Sequence, residues 1–369
     1  MNRSSHQPPA TSHSFVARGR LLAIASLALF ASGCSNIGYY LQSVQGQMEI
    51  WRLERPLREV IADPATSGDL KERLLRAAEI REFASRELGL PDNGSYRSFA
   101  NLGRPFVVWN VFATPEFSVQ PVRWCFPVTG CVNYRGYFSR EEAERYAAGL
   151  AGEGHDVYVG GVAAYSTLGY FDDPVLNTFI YYAETELARL IFHELAHQIA
   201  YASGDTAFNE SFAVTVEEEG VQRWLARRGG GAKRDEFERF NRARSGFSTL
   251  VLKYRERLET LYGSGMTREE MRSRKEAILS ELEAEYRVVR AGWDGFTGYD
   301  RWFATPPNNA RVASVAVYTR MVPAFRALLE REGGDLPRFY AAVKQLAGLS
   351  REERDKRLRA LEPALTAER

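Results

Sequence analysis

The stretch from Glu184 to Ala200 contains the motif His-Glu-x-x-His, formed by His193, Glu194 and His197. On a helix, residues four apart lie one above the other on the same face, so both imidazoles can reach one ion. Glu194 lies roughly 100° further around the helix and can address a water molecule instead of the metal. Zinc suits this arrangement because a catalytic zinc site needs only three protein ligands. The motif predicts two metal ligands and a general base.

The residues around the motif are uncharged from Leu190 to Phe192 and from Leu195 to Ile199, apart from the motif itself. Such a helix is expected to be buried. The alternative is a core helix whose histidines serve only structure. A helix without a function rarely buries two histidines and a glutamate that lack partners, so the metal site is the favoured interpretation.

The third ligand is expected on the next helix. Ser203, Gly204 and Asp205 interrupt the first helix, and the pattern of residues 206–217 predicts a second helix that packs back on the first. Glu210 lies in its first turn. Glu217 follows two turns later on nearly the same face, so it is either a rival ligand or a carboxylate that orients a zinc-bound imidazole.

The pair formed by His-Glu-Leu-Ala-His and a downstream Asn-Glu-x-x-Ala resembles the gluzincin metallopeptidases. The resemblance implies His193, His197 and Glu210 as zinc ligands and Glu194 as general base. Val214 stands where those enzymes often have an aspartate, and the segment between the two motifs is shorter than in thermolysin-like enzymes. These departures leave Glu217 as the alternative third ligand.

Composition limits the classes of partner. The chain has 369 residues, 45% of them hydrophobic, and a formal net charge of +1. A chain of this size can bury one large core or two modest ones. Its basic and acidic residues nearly cancel without a basic stripe, which argues against a nucleic acid as partner.

The N-terminus resembles a lipoprotein signal peptide over residues 1–33. Arg18 and Arg20 precede an apolar run that ends at Ala-Ser-Gly-Cys34, which is similar to a bacterial lipobox. The resemblance implies that Cys34 becomes the lipid-modified N-terminus and tethers the protein to a membrane. Ser35 after the cysteine implies sorting to the outer membrane, facing the periplasm. The alternative is an ordinary signal peptide with a free Cys34.

Two cysteines remain after Cys34. Cys125 and Cys131 flank a segment that contains proline and glycine. In an exported protein such a pair is a disulfide candidate. Metal binding is the competing interpretation, but no nearby histidine or third cysteine supports it.

The hydrophobic periodicity predicts an α+β fold that is predominantly helical. We expect helices over residues 37–52, 70–88 and 139–151, strands over 106–112 and 157–166, and a long antiparallel helical hairpin over about 233–292 that serves as scaffold. With no repeat or linker, residues 34–369 are predicted to form one domain. The expected architecture is a zincin-like metallopeptidase with a small sheet and a two-helix metal site.

Residues that contact the substrate are expected just before the helix that carries His193 and His197, here called the metal helix. In zincin-like folds the strand there forms the rim of the cleft, so Tyr165, Ser166 and Gly169 are candidates. Asp172 and Asp173 are candidates for gripping a free α-amine; alternatively, they cap the next helix. Tyr318 is a candidate oxyanion donor or a buried structural tyrosine.

Together these motifs resemble a family of bacterial lipoproteins designated predicted aminopeptidases. The resemblance implies zinc-dependent hydrolysis of a peptide substrate at the cell envelope, by a zinc-bound water that Glu194 activates. An endopeptidase of the same mechanism is one alternative. A lipid-anchored, zinc-containing binding protein without turnover is the other.

Overall fold

The computed structural model describes residues 38–126, 130–229, 231–319 and 321–361, without the side chains of residues 316–319. The predicted signal peptide and Cys34 lie outside these residues. The described residues from Ile50 onward belong to one compact unit, which contains every element from β1 onward. Within the described residues, no helix combines the length and the apolar character needed to span a membrane.

The chain is mainly helical, with short strands in its first half. The strands are β1 (Arg55–Pro56), β2 (Ser98–Ala100), β3 (Val108–Pro115), β4 (Trp124–Phe126), β5 (Gly130–Val132), β6 (Arg135–Tyr137), β7 (His155–Val162) and β8 (Val175–Leu176). The helices of this half are α1 (residues 38–53), α2 (Leu57–Ala62), α3 (Gly68–Arg86) and α4 (Arg140–Gly152). Those that follow are α5 (Glu184–Ala196), α6 (Thr206–Arg228), α7 (Gly231–Tyr262), α8 (Arg268–Ala291), α9 (Asn309–Thr319), α10 (Val322–Arg331), α11 (Leu336–Ala347) and α12 (Arg351–Arg359).

The largest sheet has the strand order β6-β3-β7 and is antiparallel. The central strand β3 pairs with β7 from Val108 opposite Val162 to Pro115 opposite His155. Helices α4 and α9 both pack against β3, which explains why residues 109–114 are buried without alternation. A second sheet joins β1, β2 and β8, and β4 pairs with β5 as a hairpin.

The predicted helical hairpin is present as α7 and α8. Ion pairs join Lys253 to Glu285 and Arg257 to Glu281, so the two helices run in opposite directions. Thr267 begins α8 with a reciprocal capping box. The hairpin has its own core, and a larger core contains the inner faces of α3, α5, α6, α10 and α11.

The segment before the metal helix differs from the prediction. Strand β7 ends at Val162, and residues 163–174 form a loop rather than the continuation of a strand. Leu168 and Gly169 have φ values of 58° and 80°, a left-handed conformation that interrupts the extended backbone of a strand. The interpretation of Asp172 and Asp173 as a helix cap is also wrong, because β8 follows them and α5 begins only at Glu184.

Candidate metal centre

Helix α5 provides both histidines of the motif. It ends at Ala196, four residues earlier than the sequence predicts, and His197 is its C-cap. His197 keeps helical dihedral angles, φ −59° and ψ −23°, so its ring still lies above that of His193 with 4.9 Å between the ring centroids. The early end of the helix therefore does not separate the two imidazoles.

Helix α6 brings Glu210 to the same place. Asp205 caps its N-terminus by accepting a hydrogen bond from the backbone N–H of Phe208. The side chain of Asn209 binds both backbone groups of Ala202, its Oδ1 at 2.7 Å from the nitrogen and its Nδ2 at 3.0 Å from the oxygen. These bonds fix the turn between the helices and thereby the direction of Glu210.

Close packing of the two helices depends on one glycine of α6. A Cβ at Gly220 would lie 2.7 Å from the Phe192 ring of α5 and 2.8 Å from Leu88. Only a residue without a side chain allows this approach. The helices thus meet closely enough for ligands from both to converge.

The three predicted ligand side chains converge on one point. Nε2 of His193 lies 3.2 Å from Oε2 of Glu210, and Nε2 of His197 lies 3.8 Å from its Oε1. One ligand atom from each residue lies within 4.8 Å of the other two. Ligands that each lie about 2.0–2.1 Å from a tetrahedral zinc ion are about 3.4 Å apart. The spacing and the N, N, O donor set therefore fit such an ion.

Glu217 lies on the other side of the His193 ring. Its Oε2 is 2.8 Å from Nδ1 of His193, and its side chain is fully buried. Arg189 of α5 contacts both of its oxygens at 3.3 Å, and Arg244 of α7 donates a further hydrogen bond to it. A carboxylate on Nδ1 holds the imidazole so that Nε2 faces the metal. The geometry favours Glu210 as third ligand and Glu217 as the orienting carboxylate.

The sequence did not indicate either arginine. Arg244 belongs to the helical hairpin, which was predicted to be scaffold, yet it reaches the buried Glu217. The prediction failed because the contact joins residues 27 positions apart on different helices. Local periodicity carries no information about such a pair. The hairpin is therefore also part of the site.

The charges of the cluster are closely coupled. Burial alone would lower the pKa of His193, but hydrogen bonds to Glu210 and Glu217 raise it to about 10. Burial lowers the pKa of His197 to about 4. Burial opposes ionisation of Glu210 and Glu217, but their positive neighbours hold the pKa of both carboxyls below its usual range. The protonated His193 ring donates one N–H to Glu217 from Nδ1 and the other to Glu210 from Nε2.

Glu194 is not among these ligands. Burial raises its pKa to about 7, while the nearby His193 acts in the opposite direction. A carboxylate whose pKa lies near neutrality can both accept and return a proton at working pH. The residue is partly exposed to solvent.

The predicted substrate residues lie on the loop that follows β7. Ser166 Oγ accepts a hydrogen bond from the Leu168 backbone at 3.0 Å, and a Cβ added to Gly169 would lie 3.5 Å from Gln198, the residue after His197. Tyr165 packs edge-on against Phe138. The loop therefore adjoins the end of the metal helix, although it does not form a strand edge.

The two aspartates of this loop have different surroundings. Asp172 is exposed, whereas Asp173 is 6% exposed and accepts a hydrogen bond from the backbone of Thr167 at 3.0 Å. Burial raises the pKa of Asp173 to about 6. Its negative charge also acts on Glu194. Asp173 is therefore the buried one of the two, and its charge is felt by Glu194.

The remaining predicted residues are Tyr318 and the cysteine pair. Tyr318 belongs to α9, but its side chain is outside the described part of the structure. Cys125 and Cys131 form the predicted disulfide, which joins β4 to β5. Arg123 beside this hairpin donates to the carbonyl oxygen of Gly204 at 3.3 Å, in the turn between α5 and α6. The hairpin thus supports the turn that separates the ligands.

Most of the chain is similar to one known family of proteins. The model of a family described as "Putative aminopeptidase" matches residues 38–358. The chain belongs to this aminopeptidase family. Membership indicates peptidase activity, and the matched region contains every residue of the centre described above. No curated protein and no solved structure matches the chain.

Proposed function

We propose that this member of the aminopeptidase family is a zinc-dependent peptidase that removes N-terminal residues from peptides. The observation that carries the proposal is the convergence of His193, His197 and Glu210 beside a glutamate that is not a ligand. A purely structural zinc site has four protein ligands and no use for such a base. This arrangement favours catalysis over the binding-protein alternative.

The residues have distinct roles in the proposed reaction. Bound zinc would polarise the scissile carbonyl and increase the acidity of water at the site. Glu194 accepts a proton from the attacking water and returns it to the nitrogen of the leaving amine, so that the proton is conserved. Glu217 keeps the His193 ring in the required orientation, and Arg189 and Arg244 balance the charge of Glu217.

Aminopeptidase specificity requires an anionic group that binds the α-amine of the substrate. Asp173 is the proposed group, and the effect of its charge on Glu194, the proposed base, supports this choice. Hydrogen bonding to Thr167 fixes the carboxylate. The alternative is an endopeptidase that uses the same centre without recognising a free amine.

The proposed location is the bacterial envelope, with lipidated Cys34 as anchor, in the outer membrane and facing the periplasm. The proposal depends on the lipobox-like sequence. The Cys125–Cys131 disulfide supports export, because disulfides persist mainly in oxidising compartments.

The test compares a free-amine peptide with its N-acetylated twin. We expect the purified protein to hydrolyse the free peptide at least tenfold faster, and Glu194→Gln to lose hydrolysis about 100-fold or more while retaining zinc. Equal rates on the two peptides would favour the endopeptidase. Bound zinc without cleavage of a peptide library would favour the binding protein. Unchanged activity of Glu194→Gln would remove Glu194 from the mechanism.

A further inference from the structure

Tyr96, on the loop between α3 and β2, has an unusual conformation and surroundings. Its φ is 62°, in the left-handed region that residues with a Cβ rarely adopt. Its side chain is 1% exposed, and its hydroxyl has no hydrogen-bond partner among the residues that the structure describes. Both features cost folding free energy, and such residues concentrate at functional sites. The presence of both unfavourable features in one residue indicates that Tyr96 has a functional role.

A buried arginine holds the loop that carries Tyr96. Arg81 of α3 is 1% exposed and donates to the carbonyl oxygens of Pro91 at 2.6 Å, Asn93 at 3.1 Å and Ser95 at 2.7 Å. Charged donors form stronger hydrogen bonds than neutral ones. One guanidinium therefore stabilises the whole segment that precedes the strained residue.

Further hydrogen bonds attach the loop to the end of the metal helix. Asn93 Nδ2 donates to Gln198 Oε1 at 2.7 Å, and Gln198 Nε2 donates to Ser95 Oγ at 3.2 Å. The N–H of Tyr96 itself donates to the carbonyl oxygen of Asp173 at 2.6 Å. Since Gln198 directly follows the ligand His197, the position of Tyr96 is fixed relative to the metal centre.

Two carboxylates, Glu194 and Asp173, act electrostatically on the hydroxyl of Tyr96. Burial raises the pKa of its hydroxyl well above the usual range, and the negative charges of Glu194 and Asp173 raise it further. The phenol is therefore protonated under all working conditions and available as a hydrogen-bond donor. The Asp173 carboxylate is held by a hydrogen bond from the N–H of Thr167 to its Oδ2. Of the two carboxylates, Glu194 is the one that takes part in the proposed reaction.

We propose that Tyr96 is a positioning residue for the general base. When substrate occupies the site, the hydroxyl of Tyr96 donates a hydrogen bond to one oxygen of the Glu194 carboxylate, and the other oxygen faces the attacking water. The proposal rests on the proposed function, in which Glu194 is the base. It also gives a function to a buried hydroxyl that has no partner among the described residues.

Tyr340 shows what a structural tyrosine looks like in the same core. It is 5% exposed, and its hydroxyl donates to the carbonyl oxygen of Leu88 at 2.9 Å. Replacing such a residue by phenylalanine removes a hydrogen bond and leaves a buried acceptor without its partner. Tyr340→Phe is therefore the matched control for Tyr96→Phe.

The experiment measures kcat, KM, zinc content and thermal unfolding for both variants. For Tyr96→Phe we expect kcat to fall about tenfold or more with KM and zinc content unchanged, and the unfolding midpoint to stay equal or rise. For Tyr340→Phe we expect the opposite pattern, a lower midpoint with unchanged kcat. If the role of Tyr96 were merely structural, Tyr96→Phe would lower the unfolding midpoint and leave kcat unchanged, as expected for Tyr340→Phe.

Two outcomes would overturn the assignment of Tyr96 alone. One is wild-type kcat in Tyr96→Phe under conditions where Glu194→Gln is inactive. The other is a midpoint that falls as far as in Tyr340→Phe, since that would reveal a structural partner for the hydroxyl. A wild-type protein that binds zinc but cleaves no peptide would instead reject the proposed function, and the role of Tyr96 with it.

Discussion

At the scale of single residues, neighbours decide what each buried carboxylate can do. Glu210 faces the Nε2 atoms of two histidines, whereas Glu217 faces Nδ1 of His193 and two arginines. At Glu194 burial outweighs the opposing charge of His193 and raises its pKa to about 7. In the proposed mechanism, the same side-chain type would thus provide a ligand, an orienting group and a base.

Asp173 allows a test of these electrostatic effects through the pH dependence of stability. Burial raises its pKa to about 6 in the folded protein, above the value of about 3.9 in an unfolded chain. The folded state therefore binds this proton more tightly, and ionisation of Asp173 lowers stability as pH rises from about 4 to 6. The cost above pH 6 is on the order of 3 kcal/mol.

We expect Asp173→Asn to remove this contribution. The free energy of unfolding of the variant minus that of the wild type should increase between pH 4 and 6 and then level off, as measured by urea unfolding. Asp172→Asn, which changes the exposed neighbouring carboxylate, controls for the loss of one negative charge. A difference that does not vary with pH would contradict the prediction.

At the scale of elements, the turn between α5 and α6 sets the distance between the histidines and Glu210. Asn209 stabilises this turn through hydrogen bonds to the backbone of Ala202. Arg354 of α12 stabilises it through an ion pair with Asp205. Nε and Nη2 of Arg354 donate to Oδ2 of Asp205, the N-cap of α6, at 3.1 and 2.7 Å, and both side chains are buried. The C-terminal helix thus fixes the start of the helix that carries Glu210.

Breaking this buried ion pair should be costly. We expect Arg354→Met to lower the free energy of unfolding by about 3–5 kcal/mol, because it leaves the Asp205 charge buried without a partner. Adding Asp205→Asn should recover part of the loss, since asparagine can still cap the helix. Denaturant unfolding would measure both.

The control lies on the same helix. Arg357 pairs with Glu353 on the exposed side of α12, and Arg357→Met should change stability by less than about 1 kcal/mol. If Arg354→Met and Arg357→Met had equal effects, the buried pair would contribute no more than a surface pair.

At the scale of the whole molecule, the candidate metal centre lies where the larger core meets the helical hairpin. The inner faces of α5 and α6 belong to the larger core, and α7 of the hairpin provides Arg244 to Glu217. A metal that binds ligands on both α5 and α6 stabilises only the folded arrangement. Metal binding should therefore be coupled to the stability of the molecule.

We expect chelator-treated protein to unfold at a lower temperature and zinc to restore the midpoint. Zinc at 100 times its Kd should add about 2.7 kcal/mol of stability. Binding must displace the proton that hydrogen bonds to Glu210 and Glu217 keep on His193, so affinity should fall as pH is lowered. Calorimetry in buffers of different ionisation enthalpy would measure the released proton. A midpoint that does not respond to chelator or zinc would contradict the metal site.

Several features follow from local sequence alone. The spacing of His193 and His197 places them on one helical face, and Ser139 and Thr267 begin helices as N-caps in the structure. The hairpin and the strands β3 and β7 were predicted within a few residues of their ends, and Cys125 pairs with Cys131. Each of these depends on residues close together in the chain or on simple periodicity, which is why the sequence determines them.

Tertiary packing decided the rest. The close approach of α5 and α6 at Gly220 decides which nitrogen of His193 faces Glu217. It also decides which carboxylate lies opposite both imidazoles. Tyr96 reaches the neighbourhood of Glu194 only because Arg81 and Gln198 hold its loop. Contacts between distant residues arise from the packing of several elements at once, and no local pattern in the chain encodes them.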